Sequence, residues 1–428
     1  MSKIEIKDLG PVNECVMDID HFMVLTGAQA SGKSTIAKAI FFCKGIKDDI
    51  YNVITKRVLI GTSDTLSHDV IKVLRSKFLQ LFGTSMAMKP TMKLVYQYDD
   101  KTFIRISLKL QEGYDYLLPK YVWIDFSENI NDFFLKTVPV QSIQSGELKL
   151  QLNDLFKDDC ETIFIPAGRS LISLFTSQLN YLFTTMDDEQ KRSIDFCTQK
   201  YIEIILRIRP LFENGIDGLI SQKRNTPGAK IDFKAIDKLL ELMKDVLKGR
   251  YVFKDNEERL YIDEKHFVKI NYTSSGQQET VWIFNILLHL LINNTKAFII
   301  LEEPEAHLYP EAQKKVVEIL AFIAGKSSNV LMTTHSPYIL GAINNLIYAE
   351  KLGENPDLHR IVNEQVEEEF HIKNHSAYFL EDGKMESCVE EESEGGLIVN
   401  EVIDGASSDI NNLYDRLFDI EYGQESCI

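Results

Sequence analysis

A glycine-rich segment near the start of the chain carries the strongest chemical signal in the sequence. Residues 27–34 read GAQASGKS and fit the pattern GxxxxGK[ST], with an apolar run before them and a helical pattern after them. In such a loop, backbone N–H groups and a helix N-terminus surround phosphate oxygens. Lys33 would contact the β- and γ-phosphates of ATP, and Ser34 would offer a hydroxyl to Mg²⁺. The residues expected to bind nucleotide are Gly27, Gln29, Ser31, Gly32, Lys33, Ser34 and Thr35.

Two adjacent carboxylates follow an apolar strand pattern much later in the chain. The run AFIILEE at 297–303 ends in Glu302 and Glu303, which a parallel sheet would deliver to the edge where phosphates bind. Glu302 would hold Mg²⁺, directly or through water, and Glu303 would orient and polarise the attacking water. Two glutamates after an apolar strand are by themselves more typical of a surface turn. Their pairing with the glycine-rich loop favours the catalytic interpretation.

Two more polar segments complete the candidate set. His335 closes the apolar run NVLMTTH at 329–335, where a contact to the γ-phosphate is needed, although a lone histidine is usually structural. The segment YTSSGQQE at 272–279 places small polar residues before a helical pattern. This arrangement predicts a helix N-cap and a site for anions, and a cap alone is the simpler alternative.

Taken together, these segments resemble the ABC ATPase superfamily. SSGQQE at 274–279 resembles the signature motif, LEEPEAHLYP at 301–310 resembles the Walker B strand with its D-loop, and TTHSP at 333–337 resembles the switch histidine. The resemblance implies that ATP is sandwiched in a homodimer or higher oligomer, a ligand-driven two-fold association. Ser275 and Gly276, with Gln277 beside them, would contact the γ-phosphate bound to the second protomer. Glu303 and His335 would be the catalytic residues.

The spacing of the motifs narrows the resemblance to one branch. Lys33 and Gly276 are 243 positions apart, which is more than in transporter ATPase domains and is similar to OLD, RecF and SMC-related ATPases. The segment IFIPAGRS at 163–170, with Arg169, is similar to a loop of antiphage-defence ATPases, including those of the Septu and PARIS systems. This branch implies an ATP-gated switch in antiviral defence that acts on a separate nuclease or toxin. The alternative is a RecF- or SMC-like ATPase of DNA repair or recombination.

The same branch includes nucleases, and the sequence departs from them. OLD nucleases continue into a Toprim domain, which needs a glutamate and paired aspartates at strand ends. Asp404, Asp409 and Asp415 follow no strand pattern, so no nuclease activity is expected in this chain. Glu302 also stands where an aspartate is commoner in the superfamily.

The elements that must position these residues follow from hydrophobic periodicity. Strand patterns occur at 3–7, 21–26, 92–98, 102–109, 120–125, 163–169, 251–254, 259–262, 266–272, 297–303 and 329–335. Helical patterns occur at 33–43, 66–82, 277–293 and 311–324, and dominate 178–249. Apolar runs without alternation favour a parallel sheet covered on both faces. We expect an α/β fold, of the ABC-type P-loop NTPase class by resemblance, with a mixed β lobe and a helical insertion before the signature motif. The expected divisions are 1–177, 178–249, 250–350 and an acidic segment at 351–428.

Charge and composition restrict the classes of partner. The chain has 47 basic and 64 acidic residues, a net charge of −17. From Lys351 onward 20 residues are acidic and 5 are basic, so the chain before Lys351 is nearly neutral. No broad basic face for nucleic acid is therefore expected, although a local groove is possible. The sequence shows no bilayer-spanning run, no signal-peptide pattern and no zinc-site spacing among its six cysteines. We expect a cytoplasmic protein that has no membrane partner.

Overall fold

The computed structural model describes most of the chain, with gaps at several loops. The described residues are 2–60, 65–109, 121–136, 138–169, 193–213, 215–224, 231–255, 257–326, 328–390 and 396–399, with several single positions between 172 and 191. Much of the predicted helical insertion before 193, its polar loop at 225–230 and the acidic segment from 400 onward lie outside these residues. So do Asp404, Asp409 and Asp415.

An eleven-stranded mixed sheet organises the described part of the chain. Its spatial order is β6-β5-β4-β1-β2-β14-β13-β3-β12-β11-β7, and a separate three-stranded sheet has the order β10-β9-β8. The strands are β1 Lys3–Leu9, β2 Val12–Asp18, β3 Phe22–Gly27, β4 Lys93–Gln97, β5 Phe103–Lys109, β6 Tyr121–Phe126, β7 Glu161–Ile165, β8 Arg250–Lys254, β9 Glu257–Tyr261, β10 Phe267–Lys269, β11 Ala297–Glu302, β12 Asn329–Thr333, β13 His375–Glu381 and β14 Lys384–Ser387.

Helices cover both faces of this sheet. Those described are α1 Lys33–Lys44, α2 Ile46–Ile60, α3 Leu66–Phe82, α4 Glu128–Phe134, α5 Val140–Gln144, α6 Glu147–Phe156, α7 Phe196–Ile208, α8 Gly215–Arg224, α9 Phe233–Leu247, α10 Ser275–Asn293, α11 Pro310–Ala324, α12 Pro337–Gly353 and α13 Pro356–Gln365. The predicted helices at 33–43, 66–82, 277–293 and 311–324 are confirmed within two residues at each end. In the described part of the chain, no helix is both long and apolar enough to cross a bilayer.

The half of the sheet that holds β7, β11, β12, β3 and β13 is entirely parallel. Every residue of β3 and β11 is buried, because apolar helices pack on both faces. Met23 and Leu25 contact the core that includes α1, whereas Phe22 and Val24 contact the core that includes α10 and α11. The unbroken apolar runs in the sequence are explained by this two-sided burial.

The other half of the sheet forms the predicted mixed β lobe. Strands β2, β1, β4, β5 and β6 pair antiparallel in that order. Residues of β1 and β4 alternate between buried and less buried positions, so one face of the lobe packs on the core shared with α2 and α3. The expected α/β class is confirmed.

A hairpin from the acidic C-terminal region lies in the middle of the sheet. Strand β13 pairs parallel with β3, with Leu380 opposite Gly27, and β14 pairs with β13 and reaches β2. The sequence interpretation proposed no strand after Glu350, so this hairpin corrects it. The many charged residues of this region favoured a solvated segment, although a short apolar pattern is present in it and Ala377 and Leu380 are buried. The predicted strand at 266–272 is also corrected, since it ends at Lys269 and continues as a 3-10 turn.

Candidate functional site

The glycine-rich loop connects the end of β3 to the start of α1 and is built from left-handed backbone. Gly27, Ala30 and Gly32 have φ angles of 133°, 62° and 113°. A Cβ atom on Gly27 would lie 2.2 Å from the carbonyl oxygen of Leu380, and one on Gly32 would lie 2.7 Å from Val12 Cγ2. Conformation and close packing both require glycine at these two positions.

Lys33 lies buried beneath this loop. Its Nζ donates hydrogen bonds to the carbonyl oxygens of Gly27 at 2.9 Å and Ala28 at 2.7 Å, and to Ser31 Oγ at 3.4 Å. Burial lowers the pKa of the Lys33 ammonium to about 8, although Glu303 and Glu305 act in the opposite direction. A phosphate placed at this loop would stabilise the charged form.

The first turn of α1 is open to an anion. Its N-cap, Gly32, offers no side-chain acceptor, and the turn holds no acidic residue, so the N–H groups there lack a competing side chain. Ser34 and Gln29 are exposed and Thr35 is partly buried. The structure therefore brings the seven predicted loop residues to one helix N-terminus, the arrangement that holds phosphate oxygens.

Glu302 presents a free carboxylate oxygen at the carboxyl end of β11. The strand ends of β11, β12 and β3 are level, since Glu302 pairs with Thr333 and Thr333 pairs with Leu25. Glu302 Oε2 accepts a hydrogen bond from Ala167 N at 3.2 Å, while Oε1 is buried and has no hydrogen-bond partner. An unpartnered buried carboxylate oxygen and the exposed Ser34 hydroxyl are the hard oxygen donors that suit Mg²⁺.

Glu303 and His335 lie side by side at the same sheet edge. Glu303 Oε1 is 3.6 Å from His335 Nε2, and the two side chains are 42% and 36% exposed, so water reaches both. Glu303 has a left-handed φ of 44°, and its N–H donates to the Thr333 carbonyl at 3.0 Å. A non-glycine residue in this conformation is strained, which is common where a side chain must be aimed.

Glu305 anchors the backbone beside His335, a role that the sequence interpretation missed. Its Oε1 accepts hydrogen bonds from Thr334 Oγ1 at 2.7 Å and from the His335 N–H at 2.8 Å. The only local signal is a third acidic residue two positions after Glu303. Its partner lies thirty residues away and becomes visible only when β11 and β12 pair.

The signature-like segment starts α10 and contacts a different part of the same chain. Ser274 is the N-cap and forms a capping box with Gln277, whose Nε2 also donates to the Leu247 carbonyl at 2.7 Å. Gly276 packs so closely that a Cβ would lie 2.7 Å from the carbonyl oxygen of His307. Ser275 is exposed. The contacts of Gly276 and Gln277 described here run to His307 and Leu308 and to α9, and none of these contacts reaches Lys33, Glu303 or His335.

Comparison with known proteins places this geometry in context. The chain matches a family model described as AAA ATPase domain (AAA_15) over residues 124–340, just over half of its length. No curated protein matches it.

Solved structures of SMC heads are similar to this chain at low identity. The Smc head bound to the C-winged helix domain of ScpA is 14% identical, with 92% of this chain and 98% of that chain covered and a TM-score of 0.43. The Pyrococcus furiosus Smc head with an extended coiled coil, bound to the C-terminal domain of ScpA, is 13% identical, with 92% and 98% covered and a TM-score of 0.41. The SMC head domain from Thermotoga maritima is 10% identical, with 90% and 97% covered and a TM-score of 0.36.

Proposed function

Because this chain belongs to the family of AAA ATPase domains and has an ABC-type P-loop NTPase fold, we propose that it binds ATP between two copies of itself and hydrolyses it to ADP and phosphate. One observation carries this proposal. Lys33, Glu302, Glu303 and His335 come from three separate segments, and the parallel pairing of β3, β12 and β11 brings those segments to one sheet edge. Ligands of open α/β sheets bind at this edge.

Each side chain at this sheet edge has a separate role in ATP hydrolysis. Lys33 exchanges the loop carbonyls for the β- and γ-phosphates, and its ammonium stabilises their charge. Glu303 accepts a hydrogen bond from the attacking water and orients it towards the γ-phosphorus. His335, beside Glu303, donates to a γ-phosphate oxygen as charge develops there. Ser34 and Glu302 would hold Mg²⁺, which would supply positive charge to offset that of the phosphate oxygens.

A second copy of the chain completes each site. Ser275 is exposed at the N-terminus of α10, the end of a helix that attracts anions, while Gly276 is fixed against His307 and Leu308 of its own chain. Tyr272, shortly before this helix in the chain, is 75% exposed, and Tyr309, which follows the residues that pack on Gly276, is 78% exposed. Exposed tyrosines are enriched in protein interfaces, which supports a partner surface here. The same face on both protomers gives an isologous dimer.

We propose that the ATP-closed dimer acts as a switch on a separate protein effector, a nuclease or toxin of an antiviral defence system. The nearly neutral chain before Lys351 supports a protein partner over nucleic acid, since DNA binding relies on clustered Lys and Arg. The repair or recombination alternative predicts hydrolysis that DNA stimulates and that salt suppresses steeply.

A pair of variants tests the chemistry. Glu303→Gln should bind ATP and dimerise but hydrolyse it at least tens of times more slowly, because a positioned general base contributes about 10²–10⁴. Lys33→Ala should lose the rise in melting temperature that ATP gives the unmodified chain. Glu311→Gln, an exposed acid on the first turn of α11, is the matched control and should keep full turnover. Near-normal hydrolysis by Glu303→Gln would show that another carboxylate acts as the base.

The partner is tested with the same variants. Tagged Glu303→Gln, which holds the closed form, is recovered from its native host, and bound proteins are identified by mass spectrometry with Lys33→Ala as the control. A nuclease or toxin recovered only with Glu303→Gln supports the defence switch. Recombination proteins, or DNA when nuclease is omitted, would replace it with the repair function.

A further inference from the structure

A buried arginine holds the backbone that carries both site carboxylates. Arg169 follows β7 in the segment that the sequence singled out without a role, and its side chain is 0% exposed. Its Nη1 donates to the carbonyl oxygens of Pro166 and Glu302, both at 2.6 Å, and its Nη2 donates to the carbonyl oxygen of Glu303 at 3.0 Å. The fork of the guanidinium therefore fixes two successive peptide groups at the end of β11.

The same arginine is paired with the signature helix. Glu279, on the second turn of α10, is also 0% exposed, and its Oε2 lies 3.1 Å from Arg169 Nε. That oxygen also accepts a hydrogen bond from the Arg169 backbone N–H at 3.2 Å. Its other oxygen is 3.6 Å from Nδ1 of His307 in the D-loop. Glu279 stands about 6 Å along the helix axis from Ser275.

Stability alone does not account for this pair. Removing two charges from water is costly, and a buried ion pair is often replaced by apolar residues of similar size with no loss of stability. What apolar residues cannot do is donate to the carbonyls of Glu302 and Glu303. Glu303 also holds a left-handed φ of 44°, a strained conformation that its neighbours must maintain.

We propose that Arg169 and Glu279 are positioning residues that couple the two nucleotide sites of the dimer. When α10 contacts the ATP bound to the partner, the position of α10 changes the position of Glu279 and, through the ion pair, that of Arg169. Arg169 then shifts the peptide of Glu303, so that this general base is oriented towards the chain's own ATP. This inference rests on the proposed function. Hydrolysis rate and cooperativity depend on the pair, whereas ATP binding by the glycine-rich loop does not.

The test removes both charges together. Arg169→Met alone would leave the buried Glu279 carboxylate without the guanidinium and would risk unfolding the protein, so the main variant is Arg169→Met with Glu279→Met. We expect a kcat at least tenfold lower, a Hill coefficient for ATP that falls towards one, and an ATP Kd within threefold of the unmodified chain. Arg169→Lys keeps the charge but not the fork, and should give an intermediate kcat.

A second buried ion pair, at the opposite end of β7, provides the control. Lys44 Nζ lies 2.8 Å from Asp158 Oδ2 just before β7, whereas Arg169 follows β7. Both members are buried. Lys47, whose Nζ lies 3.6 Å from the other Asp158 oxygen, would lose that ion pair, but the backbone carbonyls of residue 158 and Cys160 would still accept its hydrogen bonds. Lys44→Met with Asp158→Met should keep kcat within twofold and leave the Hill coefficient unchanged.

Each outcome decides the proposal. Lower kcat and lost cooperativity with ATP-dependent dimerisation intact support it. A kcat within twofold of that of the unmodified chain, together with an unchanged Hill coefficient, overturns it. Loss of dimerisation together with activity also overturns it, because the pair would then only maintain the fold. If the unmodified chain and the Lys44/Asp158 control are both inactive, the proposed function itself fails, and the inference fails with it.

Discussion

Removing the carboxylate of Glu305 should slow ATP hydrolysis, because the backbone that positions His335 would lose its hydrogen bonds to this side chain. Glu305 Oε1 accepts hydrogen bonds from Thr334 Oγ1 at 2.7 Å and from the His335 N–H at 2.8 Å. In Glu305→Ala, the segment that presents His335 would lose the one oxygen that accepts both hydrogen bonds, while the strands on either side remain in place. The expected defect is therefore in the reaction step and not in folding.

The size of the effect follows from the strength of these bonds. A hydrogen bond to a charged group contributes about 1.5–3 kcal/mol. Losing the bond to the His335 N–H would reduce the population of the conformation in which His335 is positioned for the reaction about 10- to 150-fold, since 1.4 kcal/mol is a factor of ten in population. Glu305→Gln keeps an acceptor oxygen but loses the charge, and neutral bonds are about half as strong. Its kcat should fall only about 3- to 10-fold.

The assay is a double-mutant cycle on kcat at saturating ATP. If Glu305 acts through His335, the double variant Glu305→Ala with His335→Ala should be no slower than His335→Ala alone, within about twofold. The measurements belong at pH 6.8, because Glu305 raises the pKa of Lys33 and its removal must not discharge that side chain. Independent, multiplying losses in the double variant would refute the reasoning, and so would a normal kcat in Glu305→Ala.

Three further predictions concern the nucleotide loop and the metal. ATP affinity should be constant below pH 8 and fall up to about tenfold per pH unit above it, because Lys33 has a pKa of about 8 without nucleotide and must take up a proton on binding. Calorimetry in two buffers of different ionisation enthalpy measures that proton, and a Kd that is constant to pH 9.5 would contradict it. Gly27→Ala should cost about 1–3 kcal/mol of unfolding free energy through strain and also lose ATP binding, since its Cβ would lie 2.2 Å from the Leu380 carbonyl oxygen. Denaturant titration and thermal shift with ATP would detect both losses, and an unchanged protein would mean that the loop tolerates a side chain. Glu302→Gln should leave metal-free ATP affinity unchanged but require at least tenfold more Mg²⁺ for half-maximal turnover; an unchanged requirement would remove Glu302 from the metal site.

The residues that could be predicted are those whose signal is local. Strands β3 and β11 are apolar at nearly every position and end in motif residues, so Lys33, Glu302 and Glu303 were identified from short windows. The position of the α10 N-cap, in contrast, could not be predicted from a short stretch of sequence. Ser274 and Ser275 carry the same hydroxyl at neighbouring positions, and only the geometry shows that Ser274 caps the helix.

What the sequence did not show depends on contacts between distant segments. Glu279 and Arg169 meet across more than a hundred residues, and neither has a neighbour in sequence that indicates the other. The β13–β14 hairpin was missed for a related reason. A seven-residue strand that lies between polar residues and an acidic turn has the pattern of a solvated segment, and its burial follows from pairing with β3, which no local pattern encodes.

The place of the β13–β14 hairpin also sets the order in which the protein can mature on the ribosome. Strand β3 is made early, yet its two neighbours, β12 and β13, are made more than 300 residues later. At about 5–20 residues per second, the nascent glycine-rich loop waits roughly 15–70 s for the strands that support it. Pairings between such distant segments also form slowly. A chain interrupted anywhere before Glu381 would lack a neighbour of β3, so the growing polypeptide should become able to bind ATP only after β13 has been made.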